Sequence, residues 1–125
     1  MKLVDAYNVE SLYSKMSSRT DLSVVSTYKL LKFFNKLKVD ADFYREKLVE
    51  ILNEYAERDD TGKAIVTENG QKIQIQPDKL EECEQKLQEL AEIEIQEPEI
   101  TFTLNEIPEG LSVQEFNLLM PFIKE

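Results

Sequence analysis

Apolar residues recur at steps of three and four through the first two-thirds of the chain, and near residue 91 the period changes to two. This change of period sets the reading of the fold. A short first helix is predicted by Val9, Leu12, Tyr13 and Met16, with Asn8 placed to cap it. Ser17-Ser18-Arg19-Thr20-Asp21 then interrupts with side chains that bond readily to nearby backbone and suit a turn. From Ser23 to about Ala56 there is neither Gly nor Pro. Val24, Tyr28, Leu31, Phe34, Leu37, Ala41, Tyr44, Leu48, Ile51 and Tyr55 form a helical stripe there. A helix of roughly 34 residues would be about 50 Å long, so it needs packing partners along its length, from this chain or another. The stripe loosens at Lys38-Val39-Asp40, where a kink is the alternative. Phe33 and Phe43 lie beside the stripe and widen the apolar face, to be covered by other elements of the chain or by another subunit.

Asp59-Asp60-Thr61-Gly62 ends the long helix with turn chemistry. Ala64-Ile65-Val66-Thr67 and Lys72-Ile73-Gln74-Ile75 read as strands joined by Asn69-Gly70, a pair that tolerates positive φ in a tight hairpin. An isolated two-stranded hairpin is marginal in water, so this one is expected to pack on a helix or join a larger sheet. Pro77 and Asp78 suit the start of a third helix, in which Leu80, Cys83, Leu87 and Leu90 make a narrow seam. The simplest arrangement lays this helix antiparallel on the long one, with the hairpin at the tip. Ile93 and Ile95, then Ile100, Phe102 and Leu104, alternate with polar residues around Pro98, as one bent strand or two short ones would. Ser112 and Glu115 form a capping box for a last short helix, and Leu111 and Phe116 its hydrophobic staple. Phe116, Leu119 and Met120 are expected to face inward before Pro121. The fold class expected is α+β: a long antiparallel helical hairpin tipped by a β-hairpin, plus a small sheet and a short C-terminal helix, in one domain over residues 1–125.

Charge changes this picture from an architecture to a surface. The chain carries 15 Lys+Arg and 25 Asp+Glu, a formal net charge of −10. Residues 1–58 hold ten basic and nine acidic side chains, whereas residues 59–125 hold five and sixteen. Glu81–Glu99 alone contains eight Glu and one Lys, and Lys29, Lys32, Lys36 and Lys38 form a basic stretch on the long helix. Two readings follow. The acids and lysines flank one internal seam, or Asp78, Glu82, Glu89 and Glu92 share the outer face of the third helix and Glu94 extends it as a docking surface. Such a surface suits a basic groove on a partner protein, and direct binding of nucleic acid is not expected of this sign.

The chain offers little catalytic chemistry. There is no His, which removes the commonest general base near neutral pH. The single Cys, Cys83, falls on the seam of the third helix and is read as packing. Thr61-Gly62-Lys63-Ala64 lacks the spacing and the hydroxyl of a P-loop. Glu81, Glu82 and Glu84 would attract a divalent cation only weakly. Paired carboxylates could in principle serve hydrolysis, but nothing places two of them in an apolar cleft. No catalytic, cofactor-binding or metal-binding residue is assigned, and no cofactor is expected. The longest apolar runs are pairs or triplets such as Leu118-Leu119-Met120, whereas a membrane span needs about 20 residues.

In the order of its elements the chain resembles a family of small uncharacterised proteins encoded by phages and prophages. The Lys-rich helix Tyr28-Lys29-Leu30-Leu31-Lys32-Phe33-Phe34-Asn35-Lys36-Leu37 runs on to Asn53-Glu54-Tyr55. The loops Asp59-Asp60-Thr61-Gly62 and Glu68-Asn69-Gly70 follow, then Glu92-Ile93-Glu94-Ile95. Leu111-Ser112-Val113-Gln114-Glu115-Phe116 and Pro121-Phe122-Ile123 close the pattern. The resemblance spans roughly residues 22–125 and carries no catalytic residue. It implies phage origin and leaves the mechanism open. Together with the missing catalytic inventory and the acidic second half, it leads to the expectation of a non-enzymatic protein that binds another protein, a host factor or a phage structural protein, in the host cytoplasm or the virion. The sharper form is an acidic inhibitor of a nucleic-acid-binding or defence factor; the alternative is a virion component or assembly factor that oligomerises through the long helix.

Overall fold

The computed structural model describes residues 1–67, 70 and 72–124. It is α+β, mostly helical, with one two-stranded antiparallel sheet and a C-terminal helix. Helices α1 (Leu3–Glu10) and α2 (Tyr13–Ser17) precede the long helix α3 (Val24–Glu54). Strands β1 (Val66–Thr67) and β2 (Lys72–Ile73) come next, then α4 (Leu80–Ala91) and α5 (Val113–Leu119).

The first helix begins earlier than its apolar spacing suggests. Asn8 lies inside α1 and caps nothing. The start is fixed instead by tertiary bonds: the Leu3 amide donates to the Ile93 carbonyl (2.8 Å) and the Ile95 amide to the Met1 carbonyl (2.9 Å). Val9, Leu12 and Met16 are buried as expected, whereas Tyr13 is exposed and meets Phe34 edge-on.

Helix α3 is a single element through Lys38-Val39-Asp40, and its 31 residues span about 46 Å. Ser23 caps it, its hydroxyl accepting from the Ser26 amide at 3.1 Å. In the N-terminal half the buried arc is Leu30, Phe33, Phe34, Leu37 and Ala41. Val24, Tyr28 and Leu31 of the expected stripe point outward. Phe33, expected at the margin, is the centre of the core, with Phe34, Phe102 and Phe122 packed edge-on around it at 4.9–5.2 Å. Two helical arcs compete there, and the one carrying two phenylalanines buries more apolar area.

The β-hairpin does not stand alone. Val66 pairs with Ile73 and Thr67 with Lys72. The chain leaving α3 adds to it: Glu57 donates to the Gln74 carbonyl (2.8 Å) and accepts from the Ile65 amide (2.8 Å). The Asp59 carboxylate accepts from the backbone of Thr61 and Lys63, and Gly62 takes φ +82° to close that turn. Gly70 has φ +86°, while Asn69 of the expected Asn69-Gly70 turn lies outside the described residues.

The period-two segment forms no strand. Its backbone makes isolated bridges, Lys2 with Glu94 and Phe102 with Ile123. Each half pairs with a different terminal segment, and Pro98, which is buried and has no amide hydrogen, lies between them. The alternation is kept only in part: Ile95, Ile100 and Phe102 pack on the core, whereas Ile93 and Leu104, expected on the same buried face, are exposed. The Ser112–Glu115 capping box is formed in both directions, at 2.9 and 3.1 Å. Leu111, Phe116 and Leu119 pack on the core, whereas Met120 is exposed and Phe122, in the 3-10 turn Met120–Phe122, is buried in its place.

Candidate protein-interaction surface

Helix α4 is amphipathic, and Cys83 and Leu90 fix its inward face. At about 100° per residue, Glu81, Gln88 and Glu92 lie opposite that face. Glu82 turns to the flank, where it accepts from the Tyr55 hydroxyl at 3.1 Å. Asp78 is exposed on the 3-10 turn Pro77–Lys79 that leads into the helix. Glu89 is exposed, and Glu92 is exposed while accepting from the Gln88 side-chain amide at 3.3 Å. Glu94 follows the helix in extended chain, 3.5 Å from the amino group of Met1 and 74% exposed. The five residues follow one another along the acidic segment, with Glu82 held at Tyr55 and Glu94 at the Met1 amino group.

Lys29 and Lys38 of α3 find their partners outside the acidic segment. Lys29 Nζ is 2.8 Å from Glu106, in the 3-10 turn Leu104–Glu106. Lys38 pairs with Asp42 at 3.2 Å. The lysine within the acidic segment, Lys86, reaches back to Glu54 at the end of α3 (3.2 Å). Among the described residues Lys32 and Lys36 make no ion pair. Lys36 and Glu97 line a common recess with Leu37, Gln96 and Pro98 without closing one. Burial works to raise the Glu106 carboxyl, but hydrogen bonds from Lys29, the Thr103 amide, Ser26 and the Thr103 hydroxyl hold it down at about 2.

A second surface runs along α3 opposite its buried arc. Val24 is 87% exposed, Tyr28 66%, Leu31 41% and Val39 73%. Their spacing places them on one outward stripe. Tyr28, Leu31, Lys32, Asn35 and Lys36 line a shallow recess of about 460 Å³ on it. Sequence periodicity alone assigned Val24, Tyr28 and Leu31 to the core. The residues that could have signalled otherwise are Asn35 and Lys32, polar positions that interrupt this arc while the Leu30–Phe33–Phe34–Leu37 arc is unbroken.

Other chemistry is thin on the described surface. No group of three or more metal-ligating side chains is brought together among the described residues. Cys83 is buried, and that burial, with Glu84 and Glu54 nearby, pushes its thiol up, away from the reactive thiolate. Among the described residues no helix is long and apolar enough to cross a membrane. Comparison of the chain with protein-family models, curated proteins and solved structures returns no match.

Proposed function

We propose that the chain is a non-enzymatic, phage-encoded protein that acts by binding another protein through the acidic side bearing Asp78, Glu82, Glu89, Glu92 and Glu94. Its partner is a basic host protein, a nucleic-acid-binding or defence factor, met in the host cytoplasm. One observation carries this reading: the acids of Glu81–Glu99 are not neutralised by the lysines of α3, because Lys29 is engaged by Glu106 and Lys38 by Asp42. Glutamates left in solvent at this density set up a field that attracts a basic groove and speeds encounter with it. We read α3 and α4 as the arms of a helical hairpin with β1 and β2 at its tip, since Glu82 and Lys86 meet Tyr55 and Glu54. That arrangement presents the acidic arm along one edge.

The test is retention of host protein on the immobilised chain. The expected result is capture of a basic protein that duplex DNA displaces and that the variant carrying Glu82, Glu89, Glu92 and Glu94 all changed to Lys no longer captures. Equal capture by the variant removes the acidic-surface reading.

A second reading is favoured by the outward stripe of Val24, Tyr28, Leu31 and Val39. It makes the chain a virion component or assembly factor that oligomerises through its long helix. Light scattering tests it directly, and a strict monomer counts against it.

A further inference from the structure

We propose that the outward stripe on the N-terminal half of α3 docks the acidic outer face of α4 on a second copy of this chain, so that copies associate head to tail. The inference rests on the reading of the long helix as an oligomerisation element and names what covers it. The stripe is apolar at Val24, Tyr28 and Leu31 and basic at Lys32 and Lys36. Between Asp21 and Asp40 the helix carries four lysines and no acid. The outer side of α4 is the complement: Glu81, Glu84, Glu89 and Glu92 are exposed, and exposed Leu80 and Ile93 bracket them. The lengths agree. Val24 to Lys36 rises about 18 Å, and Leu80 to Ala91 about 17 Å.

Symmetry argues against the simpler alternative. A two-fold pairing of α3 with α3 uses the same patch twice and brings the lysines of both copies into one interface with no acid to offset them. Pairing α3 with α4 of another copy joins opposite charges and covers Val24, Tyr28 and Leu31 in the same step. Within one molecule α4 meets the C-terminal end of α3, where Lys86 reaches Glu54 and Glu82 the Tyr55 hydroxyl, whereas the stripe lies on the N-terminal half, opposite the buried arc Leu30, Phe33, Phe34 and Leu37. A contact of about 12 residues on each side is small, so the association is concentration-dependent and is screened by salt. Each added copy keeps one basic and one acidic face free, which gives a ring or an open chain.

Sedimentation velocity on the full chain tests this. At low salt the mass is expected to rise above 14.6 kDa with concentration. It should fall back at about 1 M salt, where the Debye length is about 3 Å. The variant Lys32→Glu/Lys36→Glu and the variant Glu89→Lys/Glu92→Lys are each expected to stay monomeric, and an equimolar mixture of the two is expected to associate again. Circular dichroism confirms that each is folded; the single changes Lys32→Glu and Glu92→Lys serve if a double variant is not. A wild-type monomer at all concentrations overturns both this inference and the oligomerisation reading. Oligomers that the charge variants leave intact, or variants whose mixture stays monomeric, overturn the head-to-tail pairing while leaving the oligomerisation reading in place.

Discussion

Lys29 Nζ lies 2.8 Å from the Glu106 carboxylate and 5.1 Å from the centre of the Phe102 ring. The ammonium thus joins three elements: α3, the 3-10 turn that carries Glu106, and the extended chain that delivers Phe102 to the core. Two consequences follow. The most N-terminal of the α3 lysines is withdrawn from any outside partner, and the segment after Pro98, which has no sheet to hold it, gains a charged anchor.

That anchor makes stability depend on acid. Glu106 titrates at about 2 in the folded protein against an ordinary value of 4.5. A lowered folded pKa contributes stability that is complete above the unfolded value and is lost as pH falls from about 4.5 toward 2. The loss expected from this one group is of order 3 kcal/mol over the whole range, with about 2 kcal/mol of it gone by pH 3, since each unit is about 1.4 kcal/mol. Urea unfolding at pH 6 and pH 3 measures it, and Glu106→Gln should lower stability at pH 6 while flattening the acid limb. An acid limb unchanged in Glu106→Gln would show that other carboxylates carry it.

Phe33 and Phe43 should separate cleanly. Phe33 is fully buried amid three other phenylalanines, so Phe33→Ala is expected to cost about 3–5 kcal/mol. Phe43 is 44% exposed, and Phe43→Ala should cost about 1 kcal/mol or less. Thermal or urea unfolding ranks the two, and equal costs would contradict the assigned rotation of α3.

The same rotation predicts a contrast between two positions six residues apart. Leu30→Ala removes a buried side chain and should cost about 2–5 kcal/mol, whereas Val24→Ser, at an 87% exposed position, should change stability by no more than about 0.5 kcal/mol. Because Val24 belongs to the outward stripe, Val24→Ser should weaken self-association in sedimentation without lowering the melting temperature.

Ser112 closes α5 reciprocally with Glu115, and Glu115 also receives Lys15 Nζ at 2.6 Å. Ser112→Ala is expected to cost about 1 kcal/mol and Ser112→Asp to restore most of it. A neutral Ser112→Ala would mean that packing of Leu119 and Phe122, and not the cap, sets the start of this helix.

Local chemistry was legible where it is self-contained. The capping box at Ser112 and Glu115, the turn at Asp59-Asp60-Thr61-Gly62 and the unbroken run of α3 each depend on residues within a few positions of one another. The burial of Ile95, Ile100 and Phe102 was legible too, but that of Ile93 and Leu104 in the same phase was not, because no strand holds the alternation at its ends. The acidic segment could be located by counting charges. Whether its five candidate residues share a face could not be, because Glu82 is drawn to Tyr55 and Glu94 to the Met1 amino group by contacts from far along the chain.

The sequence by itself determined the α+β class, the extents of α3, α4 and α5 to within a few residues, and the division of charge, since propensity, capping and composition are properties of neighbouring residues. Only the tertiary structure decided which arc of α3 is buried, where the first helix begins, and that the period-two segment between α4 and the turn at Leu104 makes isolated bridges without a sheet. Those outcomes turn on competition for one core between segments distant in sequence. Phe33 won it because Phe102 and Phe122 arrive to pack around it, and that arrival left Val24, Tyr28 and Leu31 facing outward beside Lys32 and Lys36.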